Sequence, residues 1–559
     1  MTTKTSLQCR LLRGAWLALC LSGTLLLVHH PMLLSGLARV QTDPGDTRLN
    51  NYFLEHSYLW LKQVKYHESF WDPPFYYPHR NAAAYSDLLV GLAPLYWPWR
   101  MAGVAPDTAF QLWMLAVTAG NLLAFFFFLR VCFQVVFLPA SLAAVFFASA
   151  NSLVAQICHQ QLLSEVYVIG ALAAVFLMFK PKPAGENGFL EQKQWLPAGM
   201  FFGCLTLQFY SGFYYGFFVL LLVVAATLGA LVSRKGRARF FRVCRTNVLP
   251  FALCGALSVS AMVPWLMHYL AAAREVGPRS FGTVWLMSPR IQSWFYNGPE
   301  NWLYGWSTSI DCFRKLPMET EHRLGIGAVT PLVCLVGLWL RRRTWGIRSM
   351  IILSLLVVVT VTWWKLPGVW WEIGIPPLWK FLYETVPGAN AIRSIIRAGI
   401  LLIIPAAIGF AFLLEHLFSQ ERRGFRYIGV AVAVFCLIEQ FSLTGSYDKQ
   451  TIRDNVARIA QMIKPDCKMF VYTRTGTGAP TPCVMNLDAM WAGLAAEKPA
   501  VNGWGGNGPP QWFLDKALDH VSVAEEIDCA VHAWAERYGL NTRDIQWINE
   551  GSSESPASE

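Results

Sequence analysis

Long apolar runs, each about one membrane crossing in length, alternate with polar links along most of the chain. They fall at 14–38, 108–129, 133–157, 162–179, 195–211, 213–233, 247–270, 325–340, 349–364, 398–416 and 427–444. A helix rising 1.5 Å per residue needs about 20 apolar residues to cross roughly 30 Å of hydrocarbon. The pattern predicts a polytopic α-helical membrane protein of about 11 transmembrane helices. The stretch 85–104 is interrupted by Pro94, Pro98 and Arg100. It reads as an interfacial or half-inserted helix, which requires protein to cover its backbone.

Beyond Ser446 the pattern changes. Ile452–Ile463 has helical apolar spacing, and Lys468–Thr473 alternates like a strand through Met469 and Val471. Val523–Tyr538 reads as an amphipathic helix and Ile545–Ile548 as a last strand. The expected organisation is a transmembrane domain over 1–445 and a small C-terminal extracytoplasmic α/β domain over 446–550. The Ser/Glu-rich segment 551–559 reads as a disordered tail.

Charge sets the expected orientation. The chain has 46 Lys plus Arg against 35 Asp plus Glu, a net charge of +11, and only 14% charged residues. A soluble domain carries roughly a quarter. A soluble enzyme, a disordered protein and a disulfide-rich secreted module are excluded. Nucleic acid is not an expected partner, because the basic residues sit in short links where membrane topology accounts for them. Lys4, Arg10 and Arg13 precede the first run. Later clusters are Lys180/Lys182/Lys193, Arg234/Lys235/Arg237/Arg239/Arg242/Arg245, Arg341/Arg342/Arg343/Arg348 and Arg422/Arg423/Arg426. With the N-terminus cytoplasmic, eleven spans put every cluster inside. The outer side then receives loops 39–107, 271–324 and 365–397 and an acidic tail of ten Lys/Arg against fifteen Asp/Glu. The first run, ending near Gly36-Leu37-Ala38, is long for a signal peptide and reads as an uncleaved anchor.

The residues with chemical potential gather on that outer side. Asp43-Pro44-Gly45-Asp46 follows directly on the first run and precedes Arg48. Two carboxylates three residues apart flank a Pro-Gly turn, and one held half out of water can take a proton from an attacking hydroxyl. The same pattern also fits Asp46 as the cap of a helix over Thr47–Trp60. His159 and Glu165 occupy a short outer link, either as interfacial polar residues or as a site at the edge of the bundle. Glu439 has the same two readings. Arg393 and Arg397 stand four apart on the outer approach to a late span. On a helix they share a face and suit a phosphate, or they snorkel to headgroups. Trp285–Trp306 and Trp370-Trp371 read as an aromatic belt. The Gly-rich stretch 502–510 lacks a phosphate-loop pattern, and Cys467 with Cys483 is the one pair suited to a bridge on an oxidising face.

An acidic turn after the first span, an outer loop with Tyr77-Pro78-His79-Arg80, the interrupted stretch 85–104, the His159-Gln160 link and the Arg393/Arg397 pair form a combination. With Met490-Trp491-Ala492-Gly493-Leu494 and Pro499-Ala500-Val501-Asn502-Gly503 in the tail, it resembles the GT-C superfamily of polytopic glycosyltransferases, of the bacterial type that uses lipid-linked sugar donors. The resemblance implies hexosyl or pentosyl transfer from a polyprenyl-phosphate-linked donor to a glycan, lipid or protein acceptor on the outer face of the inner membrane. It implies a catalytic role for Asp46 with Asp43, and substrate contacts from Arg48, His79, Arg80, His159, Glu165, Arg393 and Arg397. There is no second acidic motif, which leaves open whether Asp43 holds a divalent cation. Two other classes fit the composition. A transporter or flippase of lipid-linked material needs polar residues deep in the bundle, and a scaffold uses the acidic tail to bind a partner.

Overall fold

The computed structural model describes residues 2–180, 194–364, 377–474, 480–512 and 524–550. The tail 551–559, Trp370-Trp371, Lys182 and Lys193 lie outside the described residues. The chain is mostly helical. Among the described residues seven helices are long and apolar enough to cross a membrane: Gln8–Leu34, Pro106–Phe133, Phe137–Val154, Gln160–Phe179, Phe213–Val232, Val248–Val276 and Ile395–Phe418. This is a polytopic membrane protein. Four further apolar runs fold as Trp195–Ser211, Thr330–Leu340, Ile347–Val361 and Arg423–Ile438, of 11 to 17 residues. At 1.5 Å per residue they rise roughly 16–26 Å.

The chain forms two compact units, one of residues 1–33, 113–262 and 278–444, the other of 34–112, 263–277 and 445–559. The first is a helical bundle. Its tightest packing joins Thr330–Leu340 to Ile403–Phe418, where Gly337 faces the Gly409 carbonyl and Gly409 faces the Cys334 carbonyl. No side chain fits at either glycine, so the helices meet backbone to backbone, as small residues allow in membranes. The carboxylate of Glu439, fully buried, closes the start of Thr330–Leu340. It accepts from the Ala328, Val329 and Thr330 N–H groups at 2.8, 3.0 and 2.8 Å and from the Thr330 hydroxyl at 2.6 Å. These are N–H groups a helix start leaves without partners. Glu439 is therefore a structural anchor.

In the second unit, strands Met469–Arg474 and Ile545–Glu550 pair in parallel, Met469 opposite Ile545 and Arg474 opposite Glu550. Parallel strands require a long crossover, and helices Pro482–Ala495 and Ala524–Arg537 lie within it. Ile459, Phe470, Tyr472, Met485, Ala489, Ala492 and Ile548 form the core. The far edge of Met469–Arg474 is satisfied by Asn502, whose amide accepts from Tyr472 N–H at 2.7 Å and donates to Tyr472 O at 2.9 Å. Residues 74–77 pair with this edge segment: Tyr76 and Tyr77 N–H donate to Asn502 O and Ala500 O, each at 3.0 Å. The stretch 85–104 is not one helix. It is a 3-10 turn, Val90–Leu95, and a five-residue helix, Trp97–Met101. Arg100 fixes it through a bidentate pair with buried Glu55, at 2.7 and 2.9 Å.

Candidate functional site

Within the first unit, the 3-10 segment Ile395–Leu402 opens the helix that continues to Phe418. Arg397 lies inside it, 3% exposed, and Arg393 precedes it, half-buried. Arg393 lies before this segment and in no helix, so the two arginines do not share the α-helical face that their spacing suggested. Their environments differ accordingly. Arg397 donates from Nη2 to Glu321 Oε1 at 2.8 Å and from Nε to Glu321 Oε2 at 3.2 Å. The Ser394 hydroxyl donates to the same Oε2 at 2.6 Å. The Arg397 guanidinium also lies 5.1 Å from the centre of the Tyr214 ring. Burial disfavours the charged form of Glu321, but Arg397 and Ser394 outweigh it and hold the carboxyl well below the usual carboxylate range. Arg397 is thus neutralised by Glu321, whereas Arg393 has no hydrogen bond or ion pair among the described residues.

Two neighbours complete this cluster. Arg279 bonds through its backbone to Asn390 O at 3.1 Å, and burial together with Arg393 pulls its guanidinium down. His159 lies 3.9 Å from Glu321 Oε1, and burial reinforced by Arg397 pushes its imidazole down to about 3. It is neutral at pH 7. With Arg397 and Glu321 cancelling, Arg393 adds positive charge beside Arg279. Glu165 is fully buried beside the Tyr215 hydroxyl, and neither of its oxygens completes a well-formed hydrogen bond among the described residues. The cluster offers cations for an anion and one buried carboxyl group for a donor. Of the sequence candidates it gathers His159, Glu165, Arg393 and Arg397. Sequence reasoning missed Glu321, Arg279 and Tyr214, since no local spacing relates them to the arginine pair.

The acidic turn belongs to the second unit. The helix there is Asp46–Leu61, and its cap is Gly45 rather than Asp46. Asp46 is the first helical residue, where a carboxylate is favoured by the helix dipole. Asp43 closes the turn, accepting from Gly45 N–H at 2.7 Å and from the Thr42 hydroxyl at 3.1 Å. A side chain on Gly45 would collide with Asp43 and meet the Cys483 sulfur. Burial, Asp46 and Asp43 together push the Cys483 thiol up, so it is an inert neighbour. All thirteen cysteines are free, and Cys467 and Cys483 form no bridge.

Arg48 is 4% exposed and lies 2.7 Å from Asp488. Burial raises the Asp488 carboxyl against the pull of Arg48. One turn further on, the Asn51 carbonyl oxygen and the Tyr52 hydroxyl are buried without a partner among the described residues. His79 contacts the Tyr538 and Tyr85 hydroxyls, both at 2.7 Å. Its imidazole is lowered by burial, which Glu275 opposes. Arg80 is 84% exposed and reaches Asp72 at 3.3 Å, a surface pair of small energetic value. Arg48, His79 and Arg80 therefore make contacts internal to the unit. Among the described residues no three His, Cys, Asp or Glu stand close enough to hold a metal ion. The donor set at Asp43 does not fit a divalent cation held by protein ligands alone.

No family model matches the chain, and no curated protein matches it. Among solved structures, the chain is similar to the archaeal oligosaccharyltransferase AglB from Archaeoglobus fulgidus, solved in complex with an inhibitory peptide and a dolichol-phosphate. The identity is 11% and the TM-score 0.47, over 94% of this chain and 68% of that one.

Proposed function

We propose that the chain is a GT-C-like membrane glycosyltransferase that moves a sugar from a polyprenyl-phosphate-linked donor to an envelope acceptor outside the inner membrane. The observation that carries the reading is the arginine cluster. Arg393, without a partner among the described residues, stands at the approach to a long apolar span, beside Arg279 and an Arg397 held by Glu321. A lipid phosphate brings an anion to that depth, and guanidinium groups match it in charge and geometry. In this reading all eleven apolar helices belong to the membrane part, the basic links are cytoplasmic, and residues 446–550 are extracytoplasmic.

The reaction forms a bond between the acceptor hydroxyl oxygen and the anomeric carbon. The bond from that carbon to the phosphate oxygen breaks, and its electron pair stays on the lipid phosphate. The hydroxyl proton passes to a carboxylate and then to water, a role assigned to Asp46 from its place in the sequence alone. Phosphate charge grows as the sugar leaves, so fixed cations stabilise the transition state more than the ground state. Arg393 and Arg279 are assigned to the phosphate, and the buried Glu165 carboxyl to a sugar hydroxyl. Asp43 shapes the turn that presents Asp46.

Asp46→Asn keeps the side chain's shape but removes proton acceptance, and loss of a general base costs about 10²–10⁴-fold in rate. The test is complementation of a deletion strain, scored by envelope glycans alongside membrane abundance. Normal abundance with lost transfer in Asp46→Asn and Arg393→Ala is the expected result. Full activity in both variants refutes the assignment and returns the transporter and scaffold readings.

A further inference from the structure

Away from this cluster, helix Arg234–Thr246 carries Arg234, Lys235, Arg237, Arg239, Arg242 and Arg245 and no acidic residue. None of the six forms an ion pair or a side-chain hydrogen bond among the described residues. The helix has a firm start, since Gly236 N–H donates to Ser233 Oγ at 2.9 Å. Only Ser233 separates it from the candidate span ending at Val232, and only Asn247 from the one beginning at Val248. Two consecutive spans joined by one link return to the same membrane face. Thirteen residues of helix are about 20 Å long, and with both ends tied to that face the helix lies along it.

Its other contacts fit the same placement. Phe240 stacks on Phe179, with ring centres 6.1 Å apart and planes at 6°. Arg239 lies 5.8 Å from the Trp345 ring. Phe241 is 59% exposed on the helix surface. Trp345 belongs to the link that also carries Arg341, Arg342, Arg343 and Arg348. The acidic group beside these, Glu415, is paired with Arg341 at 2.8 Å.

We propose that this helix is a binding surface for anionic phospholipid headgroups. Six cations with no ion pair among the described residues, on a surface-lying helix with an exposed aromatic ring, meet the requirements for interfacial binding by charge plus apolar insertion. The inference does not depend on the glycosyltransferase reading. A topology signal alone needs positive charge on this face but gives no preference for one bound lipid over another, and that difference is measurable.

The test uses the delipidated full chain in detergent, offered phosphatidylglycerol and phosphatidylcholine in competition and read by native mass spectrometry. The expected result is a several-fold preference for phosphatidylglycerol that falls with rising salt. In Arg237→Gln/Arg242→Gln/Arg245→Gln the preference drops by roughly fivefold or more. The single variant Arg242→Gln, at an exposed position, gives a smaller drop in the same direction should the triple variant accumulate poorly. Equal binding of the two lipids by the unaltered chain overturns the proposal. So does a preference that survives in these variants.

Discussion

Arg397 and Arg393 look equivalent in the sequence, and their variants should behave in opposite ways. Arg397 is buried with a bidentate contact to buried Glu321, while Arg393 is half-buried without a partner among the described residues. Arg397→Ala removes two charge-assisted hydrogen bonds, each of about 1.5–3 kcal/mol. It leaves a buried carboxylate that keeps the Ser394 hydroxyl as a donor. Breaking a buried ion pair from one side costs about 3–5 kcal/mol. The measurement is the melting temperature of the detergent-solubilised protein, with a loss of several degrees expected for Arg397→Ala and little change for Arg393→Ala. The pH dependence has a definite sign. In the parent protein the Glu321 carboxyl is held low, so its contribution is present above the ordinary glutamate range and lost as pH falls through the depressed value. In Arg397→Ala burial acts unopposed by that cation and raises the carboxyl, so the penalty is greatest at high pH and shrinks on acidification. The gap between variant and parent should therefore narrow from pH 8 to pH 5. Replacing both partners, as Arg397→Met/Glu321→Leu, should restore much of the loss. Equal melting temperatures for Arg397→Ala and the parent, or an equal loss in Arg393→Ala, refute the division of roles.

Gly503→Ala places a methyl group inside the ring of Tyr76. Overpacking of this kind costs about 1–3 kcal/mol, and a melting temperature no lower than the parent's would contradict the packing. His56 and His67 share a 2.7 Å contact between their Nδ1 atoms, and burial lowers them to about 4 and about 3. The unfolded chain takes up their protons below about pH 6.5 while the folded chain does not. Stability should therefore fall from pH 6.5 towards pH 4, and less steeply in His67→Gln, as read from melting temperatures across that range. Reporter fusions at Gly236 and Thr344 should report cytoplasm and a fusion at Gly551 the outside; a cytoplasmic C-terminus means one span fewer or more.

What the sequence made legible was local in origin. Apolar runs placed the bundle helices because burial in hydrocarbon acts on each segment separately. The strands expected at 468–473 and 545–548 lie at Met469–Arg474 and Ile545–Glu550, since two-residue alternation is also a local signal. The helix expected at Thr47–Trp60 begins one residue earlier, at Asp46. That shift moves the cap to Gly45 and makes Asp46 the first helical residue. The side-chain partners were not legible. Arg48 finds Asp488 from 440 positions away, and Arg397 finds Glu321 from 76. Nothing in the spacing of a single segment encodes such pairs. The Gly-rich stretch 502–510 shows the same limit: Gly506 and Asn507 N–H groups donate to the Ser86 hydroxyl at 2.7 Å and to Tyr85 O at 3.0 Å. Those glycines serve close packing on Tyr85 and Ser86.

The same non-local pairing sorts the candidate residues. A charged side chain that the fold has already matched, such as Arg48 or Arg397, contributes little free charge to a ligand, because its partner compensates it before the ligand arrives. A half-buried cation without such a partner retains its field and carries a desolvation cost that an arriving anion relieves. Among the sequence candidates Arg393 meets that condition on the cationic side, and Glu165, buried without a completed hydrogen bond among the described residues, meets it on the acidic side. Both lie in the first unit, and the hypothesis of a lipid-phosphate site is carried by these two residues rather than by the more conspicuous pair of arginines.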